Sequence, residues 1–240
     1  MSEAHNQPRE QLRLTNVHAF YGESHILHGV DMTVNRGELV TLLGRNGAGR
    51  STILKSIMGM VGRCSGSICI NGQETVKIAA HQIARLGVGF CPEERGIFAS
   101  LNVEENLMLP PTVASGGMSL DEIFDMFPNL YERRKSQGTR LSGGEQQMLA
   151  MARILRTGAN LLLLDEITEG LAPVIVERLG EVLVELKRRG ITIVLVEQNF
   201  RFAAPLADRH YLIEHGQVVE HFTAAELDGK RDQLNAMLGV

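Results

Sequence analysis

The stretch Gly44-Arg45-Asn46-Gly47-Ala48-Gly49-Arg50-Ser51-Thr52 restricts the fold more than any other part of the 240-residue chain. It follows an apolar run, Leu39-Val40-Thr41-Leu42-Leu43, that predicts a buried strand. It precedes Ile53 to Met60, whose spacing predicts a helix. Strand, glycine loop and helix are the context of a phosphate-binding P-loop. Glycines let main-chain N–H groups turn toward a phosphate chain, and the start of the helix adds its positive end. Ser51 offers a hydroxyl for Mg²⁺. The lysine usual in this motif is replaced by Arg50, which keeps the charge but not the shape.

The remaining pattern is α/β. Leu12 to Phe20 reads as a strand ended by Tyr21-Gly22, and Ile26 to Val34 as another, with Asn35-Arg36-Gly37 as a hairpin turn before the P-loop strand. Ser65 to Ile70 with the turn Asn71-Gly72 completes a small antiparallel β part. His81 to Leu86 predicts a short helix and Gly87 to Cys91 a core strand. From Glu93 to about Thr139, Pro110-Pro111 and Ser115-Gly116-Gly117 interrupt helical patches at Val103–Met108, Leu120–Met126 and Asn129–Arg134. Ser142 then N-caps a strong helix through Met148 to Leu155. Strands at 161–166 and 191–196 flank a helix from Val174 to Lys187. A helix over Phe200–Ala207, a hairpin turning at His215-Gly216, and helical segments over Ala224–Leu238 follow.

Strands alternating with helices imply a mainly parallel sheet covered on both faces. The division is one domain over 12–240 behind a loose polar tail, 1–11. Its core takes about 12–92 and 157–240, around an inserted helical subdomain of about 93–156.

Net charge of −4 disfavours nucleic acid as a partner. No apolar run approaches the ~20 residues of a membrane span, so work at a membrane would go through a docked partner. The three cysteines form no CxxC pair and read as reduced thiols of the cytosol. The eight histidines show no ligand spacing and read as surface or capping residues.

Two further stretches carry chemistry. Leu161 to Leu164 runs into Asp165-Glu166, a Walker B pattern. A carboxylate at that strand end can hold Mg²⁺, and Glu166 stands where it can polarise an attacking water. Leu141-Ser142-Gly143-Gly144-Glu145-Gln146 exposes N–H groups and a hydroxyl at a helix start, a second anion-binding end. Two such ends far apart in one chain are most simply reconciled by a head-to-tail dimer, each nucleotide lying between one subunit's P-loop and the other's Ser142 loop.

On these motifs the chain resembles the ATPase subunits of ATP-binding cassette (ABC) transporters, from about Leu12 to Val240. Glu169-Gly170-Leu171-Ala172-Pro173 and Glu197-Gln198-Asn199 resemble the second ATPase of branched-chain amino acid importers, whose near relatives serve urea or short amides. The resemblance implies a P-loop NTPase (RecA-like) core binding ATP and Mg²⁺. It implies a second ATPase subunit in a homo- or heterodimer, transmembrane permease subunits, a periplasmic binding protein acting indirectly, and a place on the inner face of the cell membrane.

Residue by residue, the resemblance assigns adenine stacking to Tyr21. Phosphate binding falls to Gly44, Arg45, Asn46, Gly47, Ala48, Gly49, Arg50, Ser51 and Thr52. Closure on the opposite ATP falls to Ser142, Gly143, Gly144 and Glu145. Ser51, Asp165 and Glu93 match metal positions, Glu93 replacing the usual glutamine. Glu166 matches the catalytic base, and Gln198 replaces the usual histidine beside it. Ile167 stands where proline is usual. A non-hydrolysing nucleotide-gated subunit, suggested by Arg50 and Gln198, and a soluble ABC ATPase acting on ribosomes or DNA are the alternatives.

Overall fold

The computed structural model describes residues 10–230 and residue 234. In chain order the elements are β1 (Glu10–Tyr21), β2 (Ser24–Asn35), β3 (Leu39–Leu43), α1 (Arg50–Ile57), β4 (Arg63–Ile70), β5 (Gln73–Glu74), α2 (Ala80–Ala84), β6 (Val88–Cys91), α3 (Val103–Met108), α4 (Leu120–Met126), α5 (Pro128–Glu132), α6 (Gly143–Arg156), β7 (Leu161–Asp165), α7 (Pro173–Arg188), β8 (Thr192–Val196), α8 (Phe200–Ala203), β9 (Arg209–Glu214) and β10 (Gln217–Thr223). A four-stranded antiparallel sheet has the order β2-β1-β4-β5, and a six-stranded sheet the order β10-β9-β3-β8-β7-β6. The larger sheet is parallel from β9 to β6, with β10 antiparallel at its edge.

The residues explain this division. Every residue of β3, β7 and β8 is buried, and all three are nearly unbroken apolar runs, as strands covered on both faces must be. One face packs on α6 and α7, with Leu149, Leu164 and Leu183 in a shared core. The other packs on α1 and the smaller sheet, joining Ile53 and Leu54 to Leu12, Leu163 and Val194. Between β6 and β7, α3 and α4 each start with a complete capping box, Asn102 with Glu105 and Ser119 with Glu122. Together with α5 they pack against α6.

Several expectations are corrected. The turn at 35–37 is no hairpin: β2 and β3 lie in different sheets. The Asn35 N–H donates to Glu38 Oε2 at 2.8 Å, the Gly37 N–H donates to Thr192 Oγ1 at 2.8 Å, and the chain passes into β3 beside β8 instead of folding back on β2. Gln11 belongs to β1, not to a loose tail. It is buried, and its amide donates to Asn160 Oδ1 at 2.8 Å. α8 stops at Ala203: Ala204 keeps helical backbone, but Pro205 has no N–H to donate to the next carbonyl of the ladder. Among the described residues the closing segment has short 3₁₀ helices at Ala224–Glu226 and Asp228–Lys230, and Leu234 is helical. The rest of that predicted helical tail, Leu234 apart, lies outside the described residues, as does 1–9 of the predicted tail. His210 is fully buried with Nδ1 2.7 Å from Thr41 Oγ1, and burial lowers its pKa to about 4, so it is neither a surface nor a capping residue.

The two sheets are tied across the turn between β9 and β10. The Gly216 N–H donates to the Ala48 carbonyl at 2.8 Å, and the His28 N–H donates to the Gly216 carbonyl at 2.9 Å. Gly216 has φ 74, and a Cβ there would lie 1.8 Å from the Ile26 carbonyl oxygen. Only glycine satisfies both constraints.

Candidate functional site

Parallel strands release their following loops at one edge of a sheet, where α/β proteins place their ligands. β3 sits between β9 and β8, and β8 runs beside β7, which runs beside β6. The loops after β3, β6, β7 and β8 therefore open together. They bring residues 46–52, Glu93, Glu166 and Gln198 to a common cleft of ≈ 460 Å³ that Tyr21 also lines; Gly44 and Arg45 of the same loop do not line it. Ile26 and Glu169 line it as well, and the sequence offered no independent reason to choose either.

The P-loop wraps the start of α1. Gly44 passes so close to the Ile213 carbonyl that a Cβ would meet it at 2.4 Å. Gly49 is the N-cap at φ 105, no side chain caps the helix, and no acidic residue stands in its first turn. Its first N–H groups are thus without a local side-chain acceptor. Arg45 instead lines a neighbouring hollow with His215, on the other side of the loop from the main cleft.

Arg50 is held inside the protein. It is 4% exposed, and its Nη2 donates to Glu166 Oε1 at 2.8 Å and to Asn46 Oδ1 at 3.3 Å. Its Nη1 donates to the Glu197 carbonyl at 3.0 Å. Burial lowers its pKa, and the charges of Glu166, Asp165 and Glu197 oppose that shift. Gln198 Nε2 donates to the other Glu166 oxygen, Oε2, at 2.7 Å. Glu166 is therefore pinned at both oxygens, on a backbone at φ 48 that non-glycine residues seldom adopt. Strain of this kind gathers at functional sites.

Beneath this layer lie two buried carboxyls. Asp165 Oδ1 accepts from Ser51 Oγ at 2.9 Å, and burial raises its pKa to about 6. Glu197, 2% exposed, accepts from both the Thr168 N–H and Oγ1, at 3.0 and 2.8 Å. Burial raises its pKa to about 7. Through Thr168 and Arg50, Glu197 joins the loop after β7, the loop after β8 and the P-loop. Sequence reasoning missed this link, because a single carboxylate after an apolar strand gives no sign of facing inward.

The donor set fits Mg²⁺. Ser51 and Asp165 bring oxygen atoms together at the P-loop, and Glu93, Glu166 and Glu169 place carboxylate oxygens within 4.8 Å of one another. Hard oxygen donors without sulfur or imidazole suit this ion.

The second predicted anion site is elsewhere. Ser142 N-caps α6 and accepts from the Glu145 N–H at 3.3 Å, while the Ser142 N–H donates to Glu145 Oε2 at 2.7 Å. Arg133 lies 3.5 Å from Glu145. None of Ser142, Gly143, Gly144 and Glu145 lines the P-loop cleft of the same chain.

Comparison with known proteins agrees with this arrangement. The family model described as ABC transporter matches residues 27–169. The high-affinity branched-chain amino acid transport ATP-binding protein BraG of Pseudomonas aeruginosa is 41% identical, over 95% of this chain and 99% of that protein. A probable branched-chain amino acid transport ATP-binding protein, LivF of Archaeoglobus fulgidus, is 40% identical over 90% of this chain and 93% of that protein. Among solved structures, a dimeric post-hydrolysis ATP-binding cassette bound to ADP and Pi superposes with a TM-score of 0.79 at 25% identity, covering 89% of this chain and 98% of that one. The family match runs through the P-loop, Asp165 and Glu166, and the similarity to BraG extends along nearly the whole sequence; this chain belongs to the ABC transporter family.

Proposed function

We propose that this chain is the ATP-hydrolysing subunit of an importer for branched-chain amino acids. The observation that carries the catalytic part is Glu166, poised above Ser51 and Asp165 and held between Arg50 and Gln198. The free α1 N–H groups and the P-loop main chain bind the phosphates, and Tyr21 stacks on the adenine. Mg²⁺ held by Ser51, Asp165 and Glu93 supplies charge neutralisation for the phosphate oxygens. Arg50 exchanges Glu166 for phosphate oxygens as ATP enters, which releases Glu166 to orient and deprotonate the attacking water. Gln198 donates an amide N–H beside that water and cannot become cationic.

Ser142, Gly143, Gly144 and Glu145 complete the site from a second subunit. Their distance from the cleft in one chain supports this reading, as does the dimeric state of the related ADP-bound cassette. Residues 93–156 form the inserted helical subdomain that carries the Ser142 loop. Among the described residues no helix is long and apolar enough to cross a membrane. The proposed place at the inner face of the cell membrane, through permease subunits, is supported by the likeness to BraG. The amino-acid cargo is supported by the likeness to BraG and LivF. A periplasmic binding protein delivers that cargo to the permease.

The test is steady-state MgATP hydrolysis by the purified chain and by Glu166→Gln. Glu166→Gln is expected to bind ATP with near-native affinity and to lose ~10²-fold or more in turnover. A wild-type chain that binds nucleotide without hydrolysing it would make this a nucleotide-gated subunit instead, the alternative that Arg50 suggests.

A further inference from the structure

The outer side of the β1–β2 hairpin carries a histidine cluster. Along β1, Val17 and Ala19 are buried while His18 alternates with them, and β2 supplies His25 and His28. His18 is paired in register with His28, and Phe20 with His25.

We infer that His18 Nδ1 and His25 Nε2 form a binding site for one first-row divalent transition metal ion, of the imidazole-seeking class represented by Zn²⁺. The two nitrogens face each other at 3.1 Å. Two nitrogens bound at ~2.05 Å to one tetrahedral ion stand about 3.3 Å apart. Small rotations of the rings therefore suffice to seat the ion.

The tautomer is also prepared. His18 Nε2 lies 3.1 Å from Asn16 Oδ1, an oxygen that only accepts. The ring proton of His18 is thus on Nε2, and Nδ1 turns its lone pair toward His25. A ligand histidine whose far N–H is held by an outer-sphere oxygen is the usual arrangement of metal sites. Asn16 is fixed in turn. It has φ 48, its N–H donates to Asp31 Oδ1 at 2.9 Å, and a Cβ on Gly29 would come within 2.9 Å of its Oδ1.

His25 is sandwiched, with the Phe20 ring stacked at 4.1 Å and the His28 ring at 3.9 Å. Desolvation, then the neighbouring His28, His18 and Arg63, lower its pKa. On binding, His25 changes tautomer, its ring proton passing by way of solvent from Nε2 to Nδ1, so that the neutral imidazole offers the Nε2 lone pair to the ion and water fills the remaining positions. An ion there would tie β1 to β2 directly behind Tyr21.

The experiment is calorimetric titration of the full chain with Zn²⁺, in excess Mg²⁺ to occupy the carboxylates of the cleft and in a Cys64→Ser/Cys69→Ser background. One equivalent is expected. His18→Asn and His25→Asn should each abolish it, and Asn16→Ala should keep the stoichiometry while weakening affinity ~10- to 100-fold. Zn²⁺ should also raise the melting temperature of the parent but not of either histidine variant, because the ligands meet only in the folded hairpin. Unchanged affinity and stoichiometry in both histidine variants, or no Zn²⁺ binding by the parent, would overturn the site.

Discussion

Helices α1 and α6 begin in opposite ways. α6 is closed by its own sequence: Ser142 and Glu145 satisfy each other's N–H groups, and Glu145 puts a negative charge in the first turn. α1 has a glycine N-cap, no capping side chain, and a cation, Arg50, at its first position, where the helix field is already positive. Its compensation is remote, from Glu166, which is 116 residues away in the chain. A helix start that is complete in itself is a structural end that a ligand must compete for. One that is left open and balanced from afar is built to exchange partners.

The largest effect should come from changing which end is accessible. Ser142→Arg places bulk at the exposed α6 start, and turnover should fall by ~10³-fold or more while nucleotide affinity of the single chain stays near native. Equal turnover in variant and parent would break the assignment of α6 to a second subunit's nucleotide. Arg50 comes next. Arg50→Ala should cost ~10²-fold or more in kcat/KM, whereas Arg50→Lys should stay within ~10-fold, a difference below about 1.4 kcal/mol. Parallel nucleotide-affinity and ATPase measurements decide this, and native values for Arg50→Ala in both would mean that the guanidinium never meets phosphate.

A smaller effect sharpens the comparison from the other side. Ser142→Ala removes a capping oxygen and should lower stability by ~1 kcal/mol, seen as a melting temperature about 2–4 °C lower. No comparable capping loss is available at Gly49.

The smallest effect is a pH slope. Burial raises Glu197 from an ordinary 4.5 to about 7. The folded state therefore holds more protons than the unfolded one across that window, and stability falls as pH rises through it. Asp165, raised from 3.8 to about 6, adds the same sign at lower pH. Urea midpoints of the nucleotide-free chain should decline from about pH 5 to 7, and Glu197→Gln should flatten the part above pH 6. His210, which burial lowers from 6.5 to about 4, acts with the opposite sign below about pH 6.5, so the variant decides: a slope above pH 6 that Glu197→Gln leaves unchanged would show that Glu197 is not raised.

The same contrast governs what could be read beforehand. Features written in consecutive residues were legible: the bounds of α3 and α4, the Ser142 cap, and the buried runs of β3, β7 and β8. Features that join distant segments were not. The turn at 35–37 has hairpin chemistry, but its outcome is decided by Thr192. The Glu166 contact of Arg50, the inward Glu197 and the meeting of His18 with His25 all depend on strand order and register, which no local pattern encodes. Motif chemistry named most of the cleft residues; it missed Ile26 and Glu169, and of the loop residues it named, Gly44 and Arg45 do not line the cleft, Arg45 facing the neighbouring hollow.

Gly216 has a mechanical consequence. Its N–H grips the phosphate loop at Ala48 and its carbonyl grips β2 at His28, with no slack for even a methyl group beside Ile26. The phosphate loop and the β1–β2 hairpin, whose turn carries Tyr21, thus meet at one residue. Under the proposed function, a shift of the phosphate loop would be passed through Gly216 to the hairpin.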